Sequence, residues 1–199
     1  MRVTGPKLSA ELIMKLFAAL LLGASTLFAA DKDATAFDLM KEGNRYVGEQ
    51  AKDRVVQVRS EKSMGSLSPK VWYVVFYDPT ASMKAVEVKF AAGKMVDVKR
   101  PFRLIERMSD STRPMDKDKL KIDSDKAIEI AAKEPILEDI KVKSVEAKLE
   151  NSDLGPVWRL RLWAQKLNKE NALADIGKMV ITADEGKVIE NDIKLSRLD

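Results

Sequence analysis

Neither cysteine nor histidine occurs anywhere in the 199 residues. The first absence removes disulfides, so stability has to come from packing. Together the two remove thiol nucleophiles, imidazole general bases, His/Cys zinc sites and every triad built on an imidazole. Catalysis would be left to carboxylate, lysine, tyrosine or serine–lysine chemistry. Aromatic residues are scarce, at 6% of the chain, so the places where they cluster are informative. A block of like charge is also missing. The chain has 35 basic and 31 acidic residues, interspersed, for a net charge of +4. This pattern reads as a solvated mixed-charge surface, and we expect no nucleic-acid partner. The remaining composition, 45% hydrophobic and 33% charged, is that of a globular protein.

Long apolar runs are absent except near the start. Residues 14–30 read "MKLFAALLLGASTLFAA". Lys15 supplies a positive end, residues 16–22 form an apolar run of signal-peptide length, and small residues follow. The run is too short for a spanning helix. We expect residues 1–30 to be a signal peptide, with Met14 as a second candidate start. Cleavage after Ala29 or Ala30 leaves a mature start near "ADKDATAF". An uncleaved anchor is the alternative, because Leu27 or Phe28 would stand three residues before the cut. No cysteine follows the run, so a lipid anchor of that kind is excluded. Export with no cysteine points to a bacterial periplasm or the exterior, with the membrane engaged only transiently through the signal peptide. Removal of residues 1–30 takes away Arg2, Lys7, Lys15 and Glu11 and lowers the net charge to +2.

Two stretches then resemble each other. "KVWYVVFY" at 70–77 and "PVWRLRLW" at 156–163 are both aromatic-led and strand-like. Each sits inside a longer pattern. In the first, Phe37, Met40, Asn44, Val47 and Ala51 fall at helical spacing, with Asp33 or Thr35 as the cap. Gly43 and Gly48 weaken that helix. "RVVQVRS", "VWYVVFY" and "KAVEVKF" follow as strands, and "AAGKMVDV" supplies a glycine turn with a short return strand. In the second, Asp123 or Ser124 caps a helix whose apolar stripe is Ala127, Ile128 and Ala131, and Pro135 stops it. "DIKVKSVEAKLE" alternates, with a phase slip at Ser144 that suits a bulge. "VWRLRLWAQK", "GKMVITA" and "DEGKVIEN" complete the copy.

Trp72 thus corresponds to Trp158, and Gly93-Lys94 to Gly186-Lys187. The Trp-to-Gly distance is 21 residues in the first copy and 28 in the second, because "KLNKENALADI" lengthens the second hairpin. One supersecondary unit used twice explains the pattern. Both glycines fit a hairpin turn whose last residue has positive φ and which closes in a glycine bulge. They do not belong to a phosphate loop, since the Gly-x4-Gly-Lys-Ser/Thr pattern is missing. Residues 101–121 carry two prolines, many charges and little periodicity, and read as a linker that begins with an extended piece at 102–105.

The second copy, through "IDSDKAIEIAAKE", "PVWRLRL" and "VITADEGKVIEND", resembles the PepSY domain family, with Asp184, Gly186 and Lys187 at the family's hairpin. The first copy is similar but has Ala91 where that Asp stands. The resemblance covers residues 36–100 and 122–194. It implies a non-catalytic extracytoplasmic module, often linked to protease propeptides or peptidase inhibition, and no active site.

The expected fold is α+β: two tandem units, 31–100 and 122–199, each a helix packed on a small antiparallel β-sheet of three to four strands. Trp158, Leu160 and Leu162 share one face of their strand, and Arg159, Arg161 and Trp163 share the other. The first central strand is apolar on both faces, so it needs cover on both sides. A unit of this size is marginal alone. We therefore expect the copies to pack on each other through the face of Tyr73, Val75 and Tyr77.

Candidate sites are few. Arg159, Arg161 and Trp163 form a cationic-aromatic stripe able to take a carboxylate, a peptide or an anionic glycan; arginines paired to neighbouring carboxylates are the plainer reading. Asp116, Asp118, Asp123 and Asp125 lack EF-hand spacing and read as caps and loop. Ser63, Ser66 and Ser68 lie near Lys62 and Lys70, a generic serine–lysine arrangement. Sheet edges could take an extended peptide as an added strand. We expect no catalytic, cofactor-binding or metal residues, no cofactor, and no enzymatic activity. The expected function is an exported binding module for a protein or peptide in the periplasm or outside the cell, modulating a peptidase or an envelope partner. The alternative is a periplasmic small-molecule or anion-binding sensor that uses the cleft between the two units.

Overall fold

The computed structural model describes residues 33–100 and 112–199, with the side chains of Glu170 and Asn171 left aside. The expected signal peptide and the extended piece at 102–105 lie outside the described residues. The described chain forms helix α1 (Ala36–Gly43), strands β1 (Val55–Ser60), β2 (Val71–Tyr77), β3 (Ala85–Ala91) and β4 (Lys94–Lys99), then helix α2 (Ser124–Ala132) and strands β5 (Val142–Ser152), β6 (Gly155–Lys166), β7 (Lys169–Thr182) and β8 (Val188–Ile193).

The expectation of two units, each with its own small sheet, is corrected. All eight strands belong to one antiparallel sheet, in the order β4-β3-β2-β1-β5-β6-β7-β8. The helices are short, eight and nine residues, and the sheet dominates the fold. The physical reason lies in the first strand of each half. β1 and β5 would each expose a row of unpaired N–H and C=O groups. Pairing them edge to edge satisfies both rows and merges two marginal cores into one. The halves therefore meet through β1 and β5 and not through the face of Tyr73, Val75 and Tyr77. Val75 and Tyr77 instead bury themselves with Val56 and Ala85 in a small cluster within the first half.

Counted outward from this seam, each half runs first, second, third and fourth strand. Trp72 and Trp158 both lie in the second strand, 3% and 0% exposed. Each indole Nε1–H donates to a backbone carbonyl, that of Pro69 at 3.0 Å and that of Ile122 at 2.8 Å. The remaining core, with Val74, Phe76 and Phe90 in one half and Leu149, Leu160, Ile176 and Met179 in the other, is a single cluster with the helices. Each of these large side chains contributes about 1.5–3 kcal/mol by leaving water.

Helix α1 starts where Thr35 and Asp38 form a capping box. It stops at Gly43, short of the stripe expected to reach Ala51. A Cβ at Gly43 would lie 2.8 Å from Phe76 Cζ, so the glycine admits the Phe76 ring at the helix end. Val47 and Ala51 are buried, but from turns. Helix α2 is capped by Asp123 and ends before Pro135, which opens a 3-10 turn. The Ser144 phase slip is a register shift between Val142 and Ser144. The β3–β4 turn differs from the expected glycine bulge. Ala92 (φ +47°) and Gly93 (φ +77°) both take positive φ, and Ala91 pairs directly with Lys94. This is a two-residue primed turn, in which alanine is the strained member.

Candidate functional site

Both helices pack on the same face of the sheet. On the other, open face Val56, Val75, Tyr77, Ala85 and Val180 are buried. Among the described residues, what is presented to a partner is therefore the charged middle of that face and the two outer edges. The seam positions them. Its ladder is only three pairs long: Gln57 with Glu150, Val58 with Leu149, and Arg59 with Lys148. Serine hydroxyls extend it. Ser60 Oγ accepts from Ala147 N at 2.9 Å, and Ser63 Oγ accepts from Val145 N at 2.9 Å. Ser63 N donates to Val145 O at 2.8 Å, and the buried Ser144 hydroxyl donates to Ser63 O. On the helix side, one Asp123 oxygen accepts from Ser124 N at 2.6 Å and from Phe37 N at 3.1 Å. Ser124 Oγ accepts from Ala36 N at 3.0 Å. The first turn of α1 is thus capped partly from the other half of the chain.

These contacts account for two of the sequence-level candidates. Ser63 is 3% exposed and its hydroxyl also donates to Ser66 O at 2.5 Å. Lys62 lies over the Trp163 ring and Lys70 pairs with Asp33. Ser68 Oγ donates to the other Asp33 oxygen at 2.7 Å, so Ser68 and Lys70 meet through that carboxylate. Asp116 and Asp123 are caps, and among the described residues no group of three or more Asp or Glu converges as a metal site.

On the open face the register lines up Asp97, Lys89, Tyr73, Arg59, Lys148, Arg159, Val180 and Glu190 across all eight strands. Like charges directly opposite one another repel. Carboxylates from the flanking rows offset this. Glu87 holds Arg59 at 2.5 Å, Glu61 holds Lys89 at 3.3 Å, and Glu150 holds Lys148 at 2.5 Å and Arg159 at 2.6 Å. Tyr73 sits among the cations, with the Arg59 guanidinium 4.1 Å and the Lys89 ammonium 5.1 Å from its ring centroid. Its hydroxyl donates to Glu61 at 2.5 Å. Each exposed pair adds at most about 1 kcal/mol, so the network's larger effect is to neutralise the face.

The stripe of Arg159, Arg161 and Trp163 lies on this open face as its alternation requires, and both arginines are engaged. Arg159 pairs with Glu150 and reaches Glu190 at 4.0 Å. Arg161 donates twice to one Asp175 oxygen, at 2.9 and 2.5 Å. Half-buried Trp163 lies between two cations, Lys62 at 4.3 Å and Arg161 at 5.3 Å from the ring centroid. Burial raises the Glu150 carboxyl, but hydrogen bonds from Lys148 and Arg159 more than offset this and hold it below the usual range. Burial likewise opposes, and Arg161 and Gly177 N outweigh it, at Asp175. The Tyr73 hydrogen bond lowers Glu61. These carboxylates are ionised at neutral pH and serve as anchors, whereas a general acid or base works best with a pKa near the operating pH.

The outer edges were invisible as sites from composition, because strand addition uses backbone. β4 is exposed at every position but the half-buried Asp97, and it shows Met95, Val96 and Val98 at 37%, 58% and 39%. β8 shows Ile189 at 39%, and its Glu190 and Asp192 face Lys178 and Lys194. Comparison of the chain with family models, with curated proteins and with solved structures finds no match.

Proposed function

We propose that the protein is an exported, non-catalytic interaction module that binds a protein or peptide in the periplasm or outside the cell, of the kind the PepSY resemblance implies, modulating a peptidase or an envelope partner. The observation that carries this reading is the form of the presented surface. The charged middle of a sheet face is neutralised from within, and beside it runs an edge strand whose outward backbone groups have no strand partner among the described residues. Such a surface suits contact over an area or along a strand. The ionised, cation-held carboxylates and the absence of imidazole and thiol point the same way. Export rests on residues 14–30. The sensor alternative relies on a cleft between two units, and at that place the sheet is continuous.

The test is photo-crosslinking of the chain in an envelope fraction, with the reactive residue at Trp163 or at Val96. A discrete protein partner, with a dissociation constant then measured on the purified pair, supports the reading. Saturable turnover of a peptide, ester or glycan substrate overturns it. So does a small molecule that raises the melting temperature of a chain with no protein partner.

A further inference from the structure

The two ends of the sheet differ in charge, and the difference points to an occupant. At β4, Lys94 opens the strand, Lys99 closes it and Arg100 follows, against one acidic residue, Asp97. Lys99 and Arg100 keep 66% of their side chains exposed while pairing with Asp97 at 2.9 Å and Asp78 at 3.8 Å. At β8 the two acidic residues, Glu190 and Asp192, are bracketed in sequence by Lys187 and Lys194 and paired with Lys178 and Lys194, so that edge has no cationic excess. Register sorts the β4 residues by face. Met95 and Val98 pair with Phe90 and Val88 of the helix-side core, whereas Asp97 and Lys99 pair with Lys89 and Glu87 of the open face. The edge is therefore apolar on one side and cationic on the other.

We propose that β4 is a strand-addition site for an extended acidic peptide in which apolar and acidic residues alternate. The inference rests on the binding-module reading and names its partner class. Backbone groups of β4 that face away from β3 supply the hydrogen bonds. Apolar residues of the peptide continue the layer of Met95 and Val98, and its carboxylates meet Lys94, Lys99 and Arg100. A second copy of the same strand is a poor occupant. Antiparallel self-pairing about the middle of β4 sets Lys94 of one copy against Lys99 of the other, a like-charge contact of the kind that guards sheet edges.

The experiment uses the full chain and a labelled peptide of about eight residues that alternates valine and glutamate. The controls are the valine–lysine counterpart and a valine–glutamate peptide with alternate backbone nitrogens methylated. Fluorescence anisotropy should show saturable binding of the first peptide and binding at least about tenfold weaker for each control. Lys94→Glu with Lys99→Glu, surface changes that leave the core intact, should reverse the preference between the two charges. Added salt should weaken the interaction. Hydrogen exchange should slow at amides 94–99 and not at 188–193. Equal binding of both charges, protection at β8, or no binding overturns the inference. So does a concentration-dependent oligomer with β4 protected in the absence of peptide. Those outcomes leave the binding-module reading standing, because that reading falls only by the turnover or small-molecule results described above.

Discussion

The first and second halves of the sheet share an order of elements but not their dimensions. Strands β1 to β4 are six or seven residues long, while β5, β6 and β7 reach 11, 12 and 14. Both halves keep a helix of two turns or slightly more, a tryptophan in the second strand and a positive-φ glycine in the last turn. The features held in common are those a half needs to close its core against a helix. Strand length beyond the helix is free to vary, because the extra residues of the β6–β7 hairpin satisfy their own backbone groups in the ladder. The open face differs too: the first half offers Tyr73 among cations, and the second offers arginines tied to carboxylates with Trp163 at the margin.

Replacing the two indoles separately is the sharpest way to break the comparison. Trp72→Ala and Trp158→Ala should each destabilise by about 3–5 kcal/mol. Because one core spans both halves, each variant should shift a single urea transition as a whole. Two resolved transitions, with only one moved, would mean that the halves fold independently. Gly177→Ala should follow, with a loss of about 3 kcal/mol or more. Gly177 has φ +118°, and an added Cβ would lie 2.0 Å from Asp192 O. Exchange protection should then disappear at 188–193 and persist at 94–99, since no described glycine of the first half meets backbone so closely.

The pH dependence separates the halves by burial. The folded Glu150 pKa is depressed, so its contribution is complete above the unfolded value of about 4.3 and is lost as pH falls through the folded value. Glu150→Gln should flatten the acid limb of a stability–pH curve. Glu61→Gln should flatten it less, because the Glu61 side chain is 50% exposed against 17% for Glu150. The smallest effect concerns the turns. Ala92→Asn should stabilise by about 0.5–1 kcal/mol, since asparagine tolerates the left-handed region better than alanine. Thermal melting would register the gain, and the second half has no matching site because its turn meets the same need with Gly186 alone.

Much of the local structure was legible. Asp33 or Thr35 and Asp123 or Ser124 mark the helix starts by their side-chain chemistry, and the structure selects Thr35 and Asp123. Alternation in "VWRLRLW" sorts Trp158, Leu160 and Leu162 from Arg159, Arg161 and Trp163. The phase slip at Ser144 marks a bulge. The length of α1 was misjudged, because Val47 and Ala51 mimic helical spacing while Gly43 makes room for a ring 33 residues away in sequence. The need for Gly177 was hidden as well, since it arises from a carbonyl on the neighbouring strand. Of the candidate site, the stripe was visible from residue type, but the carboxylates that occupy its arginines lie on β5, β7 and β8 and carry no local signal.

The sequence by itself narrowed each helix start to two neighbouring caps and determined the strand faces, the positive-φ glycines of the last turns, and the exclusion of thiol and imidazole chemistry. Each of these depends on a side chain and its near neighbours. Only the tertiary structure decided that β1 and β5 join into one sheet, because edge pairing is made by backbone groups that every residue carries. The same fact leaves β4 and β8 as the edges among the described residues, and so decides where a partner strand could add.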